Sequence, residues 1–168
     1  MSQKNNREYT MPDCLFCLIA KDHEPSSCVF EDADCKVFLD IYPVSKGHML
    51  IIPKNHYVTY DELSDRLRES LSKVTHLMCK AVMASDLAPL GYNIQVNNGT
   101  AANQHVPHLH IHVIPRYRGD VIKVMTHFLL QAPGIFIGKR SHKSLSPVVD
   151  IIRSAISDLE NQPTISTG

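Results

Sequence analysis

Short apolar runs bounded by turn-forming residues dominate much of the chain, and they predict β-strands. Four such runs cover residues 28–31, 36–41, 48–53 and 92–96, and Pro, Gly, Asp or Asn lies close to the end of each. A fifth strand is predicted around residues 108–113, where histidine alternates strictly with Leu, Ile and Val. The chain is therefore expected to contain five strands.

Apolar residues recur every three or four positions between the third and fourth of these strands, which predicts a long helix. The helix is expected to run from Asp61, its N-cap, to about Ser85. Its buried face would consist of Leu63, Leu67, Leu71, Val74, Met78 and Val82. A last helix is expected with Ser146 as N-cap and Pro147 at its first position. Strands gathered around one long helix, without βαβ alternation, predict an α+β domain on a largely antiparallel sheet.

The chain is long enough for one domain with a substantial core. Residues 1–10 and 163–168 are expected to be disordered tails, so that residues 11–162 form the single domain. Within it, residues 121–130 are compatible with either a strand or a helix, and Pro-Gly at residues 133–134 predicts a turn.

Charge and composition narrow the class of protein. Lys plus Arg and Asp plus Glu both total 17, so the formal net charge is zero and no basic field is available for nucleic acid. No run approaches the roughly 18 apolar residues that a membrane span needs, and the polar N-terminus does not resemble a signal peptide. Five cysteines without a secretory context argue against a disulfide framework. We expect a reduced, cytoplasmic globular protein without nucleic-acid or membrane partners.

The alternating histidines are the strongest candidate for chemistry. On a strand, His108, His110 and His112 would share one face about 6.6 Å apart, while the intervening apolar residues face the core. Three titratable groups on one face gain no stability from that arrangement. The pattern therefore indicates a site that handles a metal or an anion.

Two interpretations of this face are open from the residues alone. The histidines could hold a catalytic metal, or one imidazole could be a nucleophile that attacks phosphorus. The preceding loop at residues 97–104 offers amides, a hydroxyl and small residues that suit phosphate oxygens, although it could also be an ordinary polar connection. No carboxylate cluster lies nearby in the sequence, so the nucleophile is favoured.

Cys14 and Cys17 form a CxxC pair, which is half of a zinc site, a redox pair or simply two buried thiols. No βαβ pattern surrounds the pair, which argues against a thioredoxin-like redox function. A closed zinc site needs four ligands, and the chain has no second CxxC. A zinc ion at this pair would therefore require histidines from elsewhere.

Taken together, these motifs resemble the histidine triad family, whose signature is three histidines alternating with apolar residues. The run at residues 108–114 carries that signature, and other motifs follow in the order of the family over residues 13–116. These are Cys14–Cys17, Phe38–Ile41, Gly47–Lys54, Asn97–Gly99, Gln104 and Ile114–Arg116. The resemblance implies a five-stranded antiparallel sheet with one long helix and a C-terminal helix, and a homodimer with a ten-stranded sheet. Residues 117–162 would set specificity.

The resemblance also implies an enzyme: a nucleotide hydrolase that acts at the α-phosphate of dinucleoside polyphosphates or nucleoside 5′-phosphoramidates. His110 would attack phosphorus to give a nucleotidyl-histidine, His112 would hold phosphate oxygens, and His108 would orient its neighbours. Gln104 would join them at the catalytic centre. The residues expected to bind the small nucleotide are Phe16, Asp40, Ile41, Asn97, Gly99, Gln104, His105 and His112. His48 is expected to be structural.

Resemblance to the histidine triad members that carry a CxxC pair also implies a structural zinc ion. In this chain its ligands would be Cys14, Cys17, His56 and His108. Two positions depart from the family pattern. Asn103 stands where glycine is usual, and His105 stands where a serine often contacts phosphate, so His105 could be an extra proton donor. The alternatives to a hydrolase of this type are a non-catalytic nucleotide- or zinc-binding interaction module and a zinc hydrolase with metal-bound water.

Overall fold

The computed structural model describes residues 14–122, 124 and 138–161. The strands are β1 Cys28–Glu31, β2 Cys35–Leu39, β3 Met49–Pro53, β4 Gly91–Val96 and β5 Ile111–Arg116. The helices are α1 Leu15–Ala20, α2 Asp65–Ala84 and α3 His142–Glu160, with 3-10 turns at Tyr60–Glu62 and Thr100–Ala102. The predicted tails and the predicted turn at residues 133–134 lie outside the described residues. Of the segment predicted as strand or helix, residues 121, 122 and 124 are helical.

The five strands form one antiparallel sheet in the order β1-β2-β3-β5-β4, which confirms the predicted α+β fold. Leu50 on β3 and Gln95 on β4 both lie opposite His112 on β5. This register places the last histidine of the motif in the middle of one sheet face.

The other face of the sheet carries the main core. Met49, Ile51 and Val113 are completely buried there, and they belong to one apolar cluster with residues of α2 and α3. On α2, Leu71 and Met78 are also completely buried, as the predicted stripe requires. Truncating one such side chain to alanine costs about 2–5 kcal/mol, so this layer supplies much of the stability. The opposite face of the sheet, which does not carry this core layer, remains available for a functional site.

The long helix begins later than predicted. Asp61 lies in the 3-10 turn, and the backbone is extended again at Leu63, so the helical path is interrupted. Ser64 is the N-cap of α2, and its Oγ accepts a hydrogen bond from the N–H of Leu67. A serine hydroxyl at this position satisfies a helix N–H group that has no partner within the helix.

The last helix begins earlier than predicted. Its N-cap is Ser141 instead of Ser146, and the Ser141 Oγ accepts a hydrogen bond from the N–H of Ser144. Pro147 therefore lies inside α3. The cap and the buried Leu145 extend the helix upstream, although the proline lacks the N–H needed for one intrahelical hydrogen bond.

A buried lysine ties the turn after α1 to the sheet. Lys36 on β2 has a side chain that is only 1% exposed, and its ammonium contacts the carboxylates of Asp22 and Glu31. A buried charge is tolerated only when it is paired in this way. The ion pair with Asp22 connects β2 to the turn that follows α1, the helix that contains Cys17 and has Cys14 as its N-cap.

Candidate active site and metal centre

A cavity of about 520 Å³ lies on the sheet face opposite α2. It brings together seven of the residues predicted to act on a nucleotide, which are Phe16, Asp40, Ile41, Asn97, His105, His110 and His112. His108, Gly99 and Gln104 do not line it. The cavity combines apolar walls with a few polar groups, as small-molecule sites usually do.

His110 is held as a neutral imidazole in this cavity. Its side chain is buried, and its Nδ1 donates a hydrogen bond of 2.7 Å to the carbonyl oxygen of His108. The carbonyl can only accept, so the ring proton is on Nδ1 and Nε2 carries the lone pair. Burial lowers the pKa of His110 below its usual 6.5. The arrangement provides an unprotonated nitrogen at neutral pH.

His112 has the opposite arrangement because of a neighbouring histidine. His48 Nδ1 accepts a hydrogen bond from the N–H of Val44 at 3.3 Å, so the proton of His48 is on Nε2. That Nε2 donates to His112 Nδ1 over 2.9 Å, and the two rings stack with centroids 5.1 Å apart. The remaining ring proton of His112 is therefore on Nε2. His112 can donate a hydrogen bond, whereas its neighbour His110 can attack.

His48 thus has a direct part in the geometry that sequence reasoning did not assign. It lies just before β3, and the pairing of Leu50 with His112 brings the two imidazoles within reach. The signal in the sequence was a histidine at the start of an apolar strand. Its partner depends on strand order and register, which a single sequence does not give.

The loop from β4 to β5 is shaped by two residues with positive φ. Gly99 has φ of 82° and Asn103 has φ of 68°, a left-handed conformation that asparagine tolerates better than most residues. Gln104 closes the loop: its Oε1 accepts from the N–H of Gly99, and its Nε2 donates to the carbonyl of Val58, both at 2.7 Å. Gln104 is therefore engaged in holding the loop, while Asn97 and His105 line the cavity.

A second cluster consists of Cys14, Cys17, His56 and His108, the four residues predicted to bind zinc. Cys14 Sγ lies 3.4 Å from Nδ1 of His108, and Cys17 Sγ lies 3.2 Å from Nδ1 of His56. In a tetrahedral site with zinc–sulfur and zinc–nitrogen bonds of about 2.3 and 2.0 Å, the sulfur and nitrogen atoms are about 3.5 Å apart. The four side chains therefore fit a tetrahedral metal ion.

Electrostatics at this cluster also suit a cation. Nε2 of His108 donates to the carbonyl of Pro53 at 2.9 Å, so Nδ1 presents its lone pair to the thiols. Burial lowers the pKa of His108 to about 4, which keeps the ring neutral. Burial, together with Cys14, raises the pKa of Cys17 to about 11. A bound metal would stabilise the thiolate that this environment otherwise disfavours.

Asp40, His48 and His112 form another group of possible metal ligands on the cavity side. Here the two imidazoles already share a hydrogen bond of 2.9 Å, which uses one nitrogen of each ring. Asp40 Oδ2 lies 3.5 Å from Nδ1 of His48, the nitrogen on the other side of that ring. This group is better described as two hydrogen-bonded imidazoles beside a carboxylate than as a metal centre.

Comparison with known proteins identifies the family. The HIT domain model matches residues 21–119, which is more than half of the chain. The chain belongs to the HIT family. Relatives of this HIT protein include an uncharacterised HIT-like protein of Methanocaldococcus jannaschii, 44% identical over 108 residues that cover 64% of this chain and 81% of the relative. An adenosine 5′-monophosphoramidase of Schizosaccharomyces pombe is 44% identical over 103 residues, covering 61% and 74%.

Solved structures of HIT proteins share the fold. A zinc-bound histidine triad family protein from Mycobacterium smegmatis superimposes with a TM-score of 0.74 at 29% identity, covering 90% of this chain and 98% of that one. Members with named activities, the phosphoramidase among them, support a hydrolase in the broad sense. None of the helices described in this HIT protein is both long and apolar enough to cross a bilayer.

Proposed function

We propose that this HIT protein hydrolyses dinucleoside polyphosphates or nucleoside 5′-phosphoramidates, with His110 as nucleophile at the α-phosphorus. The observation that carries the proposal is the hydrogen bond from His110 Nδ1 to the His108 carbonyl, which leaves Nε2 unprotonated beside the cavity. A neutral imidazole is a competent nucleophile near pH 7. The adenosine 5′-monophosphoramidase relative supports the same class of substrate.

The reaction would proceed in two steps. In the first, the Nε2 lone pair of His110 forms a bond to phosphorus as the leaving group departs with the electron pair of its own bond and takes a proton from solvent, while His112 Nε2–H donates a hydrogen bond to the phosphate oxygens. In the second, water attacks the nucleotidyl-histidine and releases a proton to solvent, while the electron pair of the N–P bond returns to His110. His48 would keep the His112 proton on the nitrogen that faces the substrate.

The substrate would lie along the cavity. Asp40 would accept hydrogen bonds from the ribose hydroxyls, although its Oδ1 also accepts one from the N–H of Tyr42. Phe16 and Ile41 would contact the base, and Asn97 and His105 would donate to phosphate oxygens. Direct phosphate contact by Gly99 or Gln104 would require their mutual hydrogen bond to open. Their proposed part is to give the phosphate loop its shape.

A structural zinc ion held by Cys14, Cys17, His56 and His108 is part of the proposal. Its support is the tetrahedral spacing of the four ligand atoms and the zinc-bound relative from Mycobacterium smegmatis. The ion would connect α1 to the residues before β5, and so fix the position of His110 through the backbone. The thiols require a reducing compartment, for which the cytoplasm is our expectation.

We also propose that two copies pair through β4, which is a terminal strand of the sheet. Tyr92 and Ile94 on this strand are 41% and 51% exposed, and Leu90, immediately before it, is 74% exposed. An exposed apolar edge strand tends to pair with another chain, and an identical strand would extend the sheet to ten strands. Sedimentation of wild type and Ile94→Glu tests this part, because only the wild type should be dimeric. A monomeric wild type would contradict it.

The central test compares wild type with His110→Ala on adenosine 5′-phosphoramidate and diadenosine polyphosphates. The variant should lose at least about a thousandfold in turnover, since it lacks the nucleophile. Rapid quenching of the wild-type reaction should trap a nucleotidyl-protein. His76→Ala, which changes an exposed histidine on α2, is the matched control and should keep full activity. Undiminished turnover by His110→Ala would refute the assignment, and binding without hydrolysis by the wild type would favour an interaction module.

A further inference from the structure

The cavity has two ends because it crosses several strands. His112 on β5 and Gln95 on β4 line one end, while Leu39 and Ile41 at the end of β2 line the other. β3 lies between β2 and β5, so these ends are separated by about 10 Å at the usual spacing of neighbouring strands. With phosphorus at the histidines, the base of a nucleotide must lie at the β2 end.

A segment outside the HIT domain match closes this β2 end. The N–H of Arg140 donates a hydrogen bond of 2.7 Å to the carbonyl of Ile41, which fixes the chain beside the cavity. His142 Nδ1 is hydrogen-bonded to the buried Ser27 Oγ at 2.9 Å, and Ser27 accepts from the N–H of Leu39. As a result, the side chains of Lys139 and His142 form part of the cavity wall.

The polar groups at the two ends differ in kind. Within the described part of the chain, the amide-bearing residues that line the cavity are Gln95, Asn97 and Asn103, and all three belong to β4 or the loop after it. The β2 end is instead lined by Lys139 and by Glu24, which comes from the loop before β1. Among the described residues, the edge of a base would therefore meet a lysine and a glutamate at this end and none of the lining amides.

This combination distinguishes the two purines. Guanine presents O6 and N7 as adjacent acceptors, which suit a lysine, whereas adenine is read best by the amide of Asn or Gln at N6 and N7. Guanine also carries N1–H and an amino group, two donors that a carboxylate can accept. We infer that Lys139 and Glu24, with His142 beside them, select guanine, so that the substrate is a guanosine 5′-phosphate derivative. This inference rests on the proposed function for the direction in which the nucleotide lies.

The test is calorimetric titration of the full chain with GMP and with AMP, which does not depend on turnover. Wild type should bind GMP about tenfold more tightly than AMP, the discrimination of one good base contact. Lys139→Ala should reduce this ratio to about threefold or less, and Glu24→Gln should reduce it too because an amide suits adenine. Both residues are exposed, so neither change disturbs the core. Lys143→Ala, an exposed lysine outside the cavity lining, is the control and should keep the ratio.

Equal binding of the two nucleotides by wild type, or an unchanged ratio in Lys139→Ala, would overturn the inference. Hydrolysis of adenosine and guanosine 5′-phosphoramidates is then measured on the same preparations. Hydrolysis of both with equal affinity would contradict only the guanine preference. GMP preference without any hydrolysis would instead contradict the proposed function and leave the base selection in place.

Discussion

His108 and His110 carry the same side chain two residues apart, yet they lie in different chemical environments. His108 donates from Nε2 to Pro53 and turns Nδ1 towards two thiols. His110 donates from Nδ1 to a backbone carbonyl and keeps Nε2 for the cavity. The comparison teaches that the hydrogen bond made by one ring nitrogen decides what the other nitrogen can do. Spacing in the sequence places the rings, and backbone carbonyls assign their tautomers.

The largest effect should come from removing one ligand of the proposed metal site. Cys14→Ala removes one of four ligands and leaves the others buried, so we expect the free energy of unfolding to fall by roughly 3 kcal/mol or more. Urea unfolding with and without a chelator measures this loss. Cys28→Ala, a half-buried thiol outside the cluster, should cost about 1 kcal/mol or less. If chelation leaves wild-type unfolding unchanged, the structural metal is contradicted.

The next largest effect should come from a substitution of His48, which lines the cavity. His48→Ala removes the donor that orients His112, and we expect kcat to fall by about 100-fold while KM changes little. Steady-state kinetics on a phosphoramidate substrate provide the measurement. His48→Gln, whose amide can still donate to His112, should recover part of kcat. An alanine variant with normal kcat would show that the hydrogen bond between the rings has no part in catalysis.

A smaller effect is expected from a substitution in the loop between β4 and β5. Gln104→Ala leaves the N–H of Gly99 and the carbonyl of Val58 without their partner, at a cost of about 1–3 kcal/mol. KM should rise as the phosphate loop loosens. Gln104→Glu keeps the acceptor but loses the donor, so its stability should lie between those of wild type and the alanine variant. Equal stability of all three forms would show that the hydrogen bonds of Gln104 do not hold the loop closed.

The smallest effect is a shift in pH dependence. Because burial lowers the pKa of His110, its nucleophilic neutral form persists as the pH falls through 6.5. The acid limb of kcat/KM, along which the ring becomes protonated, should therefore be centred below pH 6.5. A pH profile on wild type tests this. An acid limb centred at or above pH 6.5 would indicate that the nucleophile is exposed to solvent.

Much of the fold could be predicted because its determinants are local. Alternating and 3.6-residue patterns gave the five strands and the two long helices to within a few residues. The helix starts were missed because several candidates for a cap compete. Asp61 and Ser146 fit the pattern as well as Ser64 and Ser141 do, and only the packed backbone decides between them.

The candidate site was predictable in composition but not in hydrogen bonding. The motifs named the four residues of the candidate metal cluster and seven of the residues that line the cavity. They did not reveal that Gln104 bonds within its loop, or that His48 contacts His112. Nor could they place Lys139 at the β2 end of the cavity, since this depends on a backbone contact between segments that are far apart in the sequence. Which residues of distant segments lie opposite one another cannot be predicted from a single sequence.

The metal cluster has a consequence for biosynthesis. Its ligands are drawn from distant parts of the chain, with 94 residues separating Cys14 from His108 and 39 separating Cys17 from His56. While the ribosome is still translating the segment before His108, the nascent polypeptide can offer an ion no more than three donors. The complete set of four proposed ligands therefore exists only after nearly two-thirds of the protein has been synthesised, so a closed four-ligand site could form only after that point.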